Sequence, residues 1–71
     1  MNQSLRKRFG KRIRELRHAA GMSQEEFADL CGYARSYMSR VERGLANPSL
    51  DAVEVFAQVL KIKVEKLFAE F

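Results

Sequence analysis

The sequence predicts an all-α domain built from five short helices. Three observations carry that expectation. Apolar residues recur at steps of three and four through most of the chain. Serines, glycines and one proline punctuate it where helices would start and stop. No stretch alternates apolar and polar residues as a half-buried strand does. The 71 residues leave room for one domain, 1–71, and no repeat or low-complexity segment divides it. A chain this short buries roughly 60% of the surface its unfolded form exposes, so a second copy is a natural supplement to its own packing.

The first helix is expected from about Ser4 to Ala20, because Leu5, Phe9, Ile13, Leu16 and Ala20 share one stripe while charges fill the other face. Gly21 suits the left-handed residue that ends a helix, and Ser23 begins the next as N-cap. Glu26, three residues on, completes the S-x-x-E capping box. The second helix runs from Gln24 to about Cys31, partly burying Phe27, Ala28, Leu30 and Cys31, and Gly32 ends it. The third opens at Ala34, a poor cap that costs about 1 kcal/mol against serine. Met38 and Val41 face inward on it, and Gly44 closes it.

Ser49, after Pro48, reads as the N-cap of a fourth helix from Leu50 to about Leu60, with Asp51 in the first turn where the helix dipole favours an acid. Leu50, Val53, Phe56, Ala57 and Leu60 form its core stripe. Val55, Val59 and Ile62 fall on nearly the opposite face, so this region has apolar surface to bury twice. The segment VEKLFAEF adds Leu67, Phe68 and Phe71, too much apolar surface for an exposed tail.

The net charge of +4 is unevenly spread. Residues 1–18 carry seven bases against Glu15 alone, a local charge of +6, whereas the remainder carries six bases against eight acids. Such a field suits nucleic acid, an acidic membrane surface or an acidic protein. Cys31 is the single cysteine and cannot form an internal disulfide; a small apolar site is its expected place. His18 has no second ligand at useful spacing, so neither a metal nor a cofactor is expected. No nucleophile with a base, carboxylate pair in a cleft or phosphate-cradling loop is recognisable, which argues against an enzyme. No apolar run reaches the length of a membrane span and the N-terminus lacks a signal-peptide core. The expectation is a cytoplasmic protein with no membrane partner and no small-molecule ligand.

Two helices of about eight residues joined by a glycine-bearing turn, residues 23–44, form a helix-turn-helix outline. That outline also occurs in plain helical bundles; the chemistry of the third helix is what distinguishes it. With Met38 and Val41 inward, Arg35, Ser36, Ser39 and Arg40 turn outward, and Tyr37 lies at the edge. Arg35 and Ser36 occupy the first turn, the part of a recognition helix that enters the major groove. An arginine fork on guanine there is worth roughly 1–3 kcal/mol of base discrimination.

From MSQEEFADLCG through RSYMSRVERG to NPSLDAVEVFAQVLKIKVEKLF, about residues 9–68, the chain resembles the lambda-repressor-like (XRE-type) helix-turn-helix family of transcription regulators. The RSY at the head of the third helix is similar to controller proteins of restriction–modification systems. The resemblance implies a compact five-helix DNA-binding domain. It implies that Gln24 bonds a DNA phosphate, that Arg35, Ser36, Ser39 and Arg40 read bases with Tyr37 beside them, and that Arg43 and Asn47 hold phosphates. It further implies an internal salt bridge between Arg17 and Glu42. Ala34 and Lys63 depart from the family's polar caps, and Ala46 stands where some relatives carry a base.

The expected function is a sequence-specific transcription regulator that binds a near-palindromic operator in double-stranded DNA as a homodimer, in the manner of a restriction–modification controller. A prophage-type repressor or an antitoxin-type regulator is the alternative within the class, and a protein-interaction adaptor with a basic face is the rival outside it. Dimerisation is expected in residues 52–71, through Val55, Val59, Ile62, Leu67, Phe68 and Phe71.

Overall fold

The computed structural model describes residues 4–69, and all of their regular structure is helical. In chain order the helices are α1 (Leu5–Ala19), α2 (Gln24–Cys31), α3 (Arg35–Glu42), α4 (Leu50–Leu60) and α5 (Val64–Leu67). Three serine caps explain three of the starts. Ser4 Oγ accepts the Lys7 N–H at 3.3 Å, and Ser49 Oγ accepts the Ala52 N–H at 3.1 Å. At α2 the box closes in both directions: Ser23 Oγ accepts from Glu26 N–H at 3.0 Å, and Glu26 Oε1 accepts from Ser23 N–H at 2.8 Å. Those bonds hold the Glu26 carboxyl below its ordinary pKa, the backbone bond being the larger cause. No side chain caps α3 at Ala34 or α5 at Lys63.

Helix ends follow backbone chemistry. Gly44 takes φ 77° just past α3, and Leu45 N–H donates to the Arg40 carbonyl at 2.8 Å, which satisfies part of the helix's open C-terminus. α4 ends differently. Lys61 occupies the left-handed region at φ 59°, a conformation that glycine adopts without steric cost and a lysine does not.

Phe56 of α4 lies at the centre of the core. Its ring meets Phe9 of α1 at 6.3 Å, Phe27 of α2 at 6.0 Å and Tyr33 of the α2–α3 turn at 6.0 Å. Ile13, Ala28, Met38, Val41, Ala52, Val53, Ala57, Leu60 and Leu67 complete the buried set. α1 crosses α3 closely because Gly10 is bare: a Cβ there would overlap the Val41 carbonyl and lie 2.7 Å from that of Glu42. At the other end Arg12 Nε donates to the Lys66 carbonyl at 3.1 Å, tying α1 to α5.

Several expected core positions are elsewhere. Leu30 is 66% exposed, because the inner face of α2 is set by Phe27, Ala28 and Cys31, and Leu30 points about 110° away from their mean direction. Leu50 is 86% exposed at the first residue of α4, beyond the layer that Val53 and Phe56 fill; Leu5, first in α1, is exposed for the same reason, and Ala20 is exposed past the end of α1. The expected dimer set also changes. Leu67 is 0% exposed, packed inside its own monomer by the return of α5 onto α1 and α4, so it offers no surface to a second copy. Phe68 stacks on Phe9 at 5.2 Å yet stays 39% exposed, and Val55, Val59 and Ile62 are half-buried. Phe71 lies outside the described residues.

Candidate nucleic-acid interface

α3 is fixed from beneath. Met38 and Val41 are buried, so a helix of eight residues has its orientation determined by two side chains one turn apart. Ser36 and Arg43 then point nearly opposite to them, with Ser39 on one side of that direction, Arg40 on the other and Arg35 on the flank. Arg35, Ser36, Arg40 and Arg43 are exposed, while Ser39 is half-buried. The outward edge of α3 therefore carries three guanidinium groups and two hydroxyls.

A polar network holds this helix to α1 and α2. Arg17 of α1, 7% exposed, donates from Nε to Glu42 Oε2 at 2.7 Å and from Nη2 to Oε1 at 3.0 Å, a bidentate fork. Its Nη1 donates to the Met22 carbonyl at 2.8 Å. The guanidinium is thus bonded on all three nitrogens, which is what a buried charge requires. Gln24, first residue of α2, donates from Nε2 to Glu42 Oε1 at 3.2 Å. One amide N–H is spent inward; the other remains for a ligand.

Two polar clefts adjoin along α3. One, of about 290 Å³, is lined by Gln24, Arg35, Ser36 and Ser39. The other, of about 340 Å³, is lined by Arg14, Arg17, Gln24, Ser39, Glu42 and Arg43. The structure therefore brings Gln24, Arg35, Ser36, Ser39 and Arg43 to one continuous surface. Arg43 Nε donates to the Ser39 carbonyl at 3.3 Å.

Tyr37 and Arg40 occupy the other flank. The Tyr37 ring packs on Tyr33 at 5.0 Å, and the Arg40 guanidinium stands 5.9 Å from its centroid, a cation–π distance. Burial, then Tyr33, pushes the Tyr37 hydroxyl above its ordinary pKa, and Arg40 partly opposes them. It is a neutral donor at neutral pH. Tyr33 was missed by sequence reasoning, since its role comes only from meeting Tyr37 and Phe56 in space. Asn47 is not brought to the α3 clefts; it borders an apolar groove with Leu5, Phe9, Pro48, Leu50 and Phe68.

Among the described residues no three metal-ligating side chains come together, and no helix is long and apolar enough to cross a membrane. Burial pushes the Cys31 thiol from 9.0 up to about 11, the behaviour of a packed and unreactive cysteine.

Comparison with known proteins gives the family. A helix-turn-helix domain model matches residues 8–70. The control protein C.BamHI of Bacillus amyloliquefaciens is 37% identical over 68 residues, covering 94% of this chain and 84% of the relative. The crystal structure of the restriction–modification controller protein C.AhdI from Aeromonas hydrophila superposes with a TM-score of 0.85 at 48% identity, covering 87% of this chain and 94% of that one. The biofilm regulator SinR, solved in complex with DNA, superposes with a TM-score of 0.79 at 39% identity, covering 84% and 97% of the two chains. With its inward-anchored α3 and that likeness, the chain belongs to the lambda-repressor-like helix-turn-helix family of DNA-binding transcription regulators and stands close to the restriction–modification controller proteins.

Proposed function

We propose that the protein binds a near-palindromic operator as a homodimer and acts as the transcriptional controller of a restriction–modification system. The observation that carries this reading is the outward edge of α3, where Arg35, Ser36 and Ser39 stand exposed or half-exposed beside Gln24, with Arg40 exposed on the opposite flank, on a scaffold 48% identical to a controller protein. In this reading α3 lies in the major groove. Arg35 and Arg40 present forks to guanine, Ser36 and Ser39 serve as adaptable donors and acceptors, and Tyr37 contacts base or backbone from the flank. Gln24 and Arg43 take phosphates, setting register without reading sequence.

The dimer reading is supported by Val55, half-buried on the face of α4 away from the core stripe, with Val59 and Ile62, which pack against the core yet keep partial exposure. Two-fold symmetry would place the paired α3 helices about 34 Å apart, one turn of DNA.

Selection of bound sequences from a random duplex pool tests class, symmetry and spacing together. The expected product is two inverted half-sites about 10 base pairs apart. Absence of any enriched sequence would favour an adaptor that merely tolerates DNA. On the enriched duplex, Arg35→Ala loses preference at one base position by about 1–3 kcal/mol, whereas Gln24→Ala weakens all sequences alike.

A further inference from the structure

Tyr33 lies in the turn before α3 and joins the core to the outer flank of that helix. Its N–H donates to the Ala28 carbonyl at 3.0 Å, just past Gly32 at φ 80°, so the backbone beneath the ring is fixed by the end of α2. The ring stands edge-on to the fully buried Phe56, at 6.0 Å and 69°. It also meets Tyr37 at 5.0 Å, and the Tyr37 ring lies 5.9 Å from the Arg40 guanidinium, one turn along α3. Side chains thus run in series from the buried Phe56 through Tyr33 and Tyr37 to the exposed Arg40. Among the described residues the Arg40 guanidinium has no ion pair and no hydrogen bond, so the Tyr37 ring is the contact that orients it.

The start of α3 depends on the same turn. Ala34 supplies no side-chain cap, so the first turn lacks the hydrogen bond that Ser4, Ser23 and Ser49 give their helices. An apolar residue just before the cap commonly packs on the fourth residue of a helix and fixes the angle at which the chain enters it. Tyr33 holds that position and meets the third residue, Tyr37, while the fourth, Met38, is buried.

We infer that Tyr33 is a positioning residue for sequence reading: bracing Tyr37 from outside α3, it sets where the Tyr37 ring and the Arg40 guanidinium meet the DNA and sharpens preference for the bases on that flank. This role rests on α3 lying in the major groove. Its physical basis is conformational. A free arginine samples many rotamers, and that freedom is lost when its planar fork pairs with one base. A guanidinium already leaning on a fixed ring loses less. Tyrosine has few side-chain torsions, and packing against Tyr33 restricts those of Tyr37. Tyr33 itself need touch no base.

The test compares full-length wild type with Tyr33→Phe, Tyr33→Leu, Arg40→Ala and the Tyr33→Leu, Arg40→Ala double variant on the selected duplex and its single-base variants. Phenylalanine keeps the ring, whereas leucine keeps apolar packing on Phe56 without it. Tyr33→Leu is expected to lower discrimination about five- to tenfold at the base position that Arg40→Ala affects, and less at the position that Arg35→Ala affects. The slope of log affinity on log salt should stay near that of wild type, since no phosphate contact is removed. The double variant should discriminate at the Arg40 position no worse than Arg40→Ala alone, because its second change removes what the first one positions. Tyr33→Phe should keep the wild-type preference. The chain has two tyrosines and no tryptophan, so the tyrosine band in near-ultraviolet circular dichroism reports this pair alone. Tyr33→Leu should lose more of that band than one tyrosine accounts for, because Tyr37 is then unbraced. Urea unfolding checks that each variant is folded; if Tyr33→Leu is not, Tyr33→Met is held to the same expectations.

A loss of affinity by the same factor on every duplex would make Tyr33 a support of the fold only and overturn the positioning role, with DNA reading intact. Loss of preference in Tyr33→Phe equal to that in Tyr33→Leu would mean that the hydroxyl itself meets DNA, which also overturns bracing. If wild type prefers no duplex over another, the reading by α3 fails and the role of Tyr33 fails with it.

Discussion

Glu42 accepts hydrogen bonds from two helices, two from Arg17 and one from Gln24, and is the point where the interior of the fold touches the outward edge of α3. Truncating it strands a guanidinium that is 7% exposed. Glu42→Ala is expected to cost about 3–5 kcal/mol, seen as a fall in the urea midpoint, and that is a large share of what so small a domain has. The double replacement Arg17→Met with Glu42→Leu should recover most of the loss, because no charge is then left buried. A melting temperature unmoved by Glu42→Ala would show that the pair carries no such penalty. Cys31 gives a pH-dependent prediction at the same scale. Its thiolate is the disfavoured form in the folded state, so alkylation by iodoacetamide should keep accelerating with pH until about 11 and, at pH 8, run about a hundredfold slower than for a solvated thiol. The associated stability is fully present below 9.0, the ordinary value, and is lost as pH rises through 11. A rate plateau near pH 9 would contradict the burial of this side chain.

Helices α1 and α3 approach each other only because Gly10 has no side chain. Propensity alone says that Gly10→Ala stabilises α1 by about 0.8–1 kcal/mol. The overlap with the Val41 and Glu42 carbonyls says the opposite, since both are backbone atoms that cannot rotate away. Steric displacement should win, with a net loss of about 1–3 kcal/mol in urea unfolding and a weakened Arg17–Glu42 contact; a gain would mean that the crossing is looser than described. The helix boundaries themselves were legible in the sequence, because capping is local chemistry. Ser4, Ser23 and Ser49 each start the helix that their hydroxyl caps. The glycine contact was not legible, since nothing within a few residues of Gly10 shows that α3 will cross there. Leu30 and Leu50 misled for a related reason: apolar character at helical spacing does not say where a core layer ends.

At the scale of the whole molecule, α4 and its C-terminal turn keep apolar surface partly exposed. Leu67 is withdrawn into the monomer, and among the described residues Val55, Val59, Ile62 and Phe68 keep partial exposure. Val55→Glu should therefore leave the monomer's fold intact and shift sedimentation toward the monomer, with operator affinity falling in proportion because half-sites are then engaged singly. Dimers that persist at micromolar protein would place the seam on a different surface. The basic field belongs to this scale as well. Its +6 over residues 1–18 was plain from composition, but only the packing of α1 on α3 divides it into a buried structural arginine, Arg17, and an exposed one beside the α3 cleft, Arg14.

The sequence by itself determined five helices, their caps, the inward pair Met38 and Val41, and hence which edge of α3 faces out, because each depends on contacts within one turn or on the helical period. Tertiary structure alone decided that Gln24 shares Glu42 with Arg17, that Tyr33 backs Tyr37, that Leu67 turns inward and that Asn47 stands apart from the α3 clefts. Those outcomes depend on how separate helices cross. Crossing is set by the joint packing of side chains distant in sequence, around Gly10 and Phe56 above all, which no local pattern encodes.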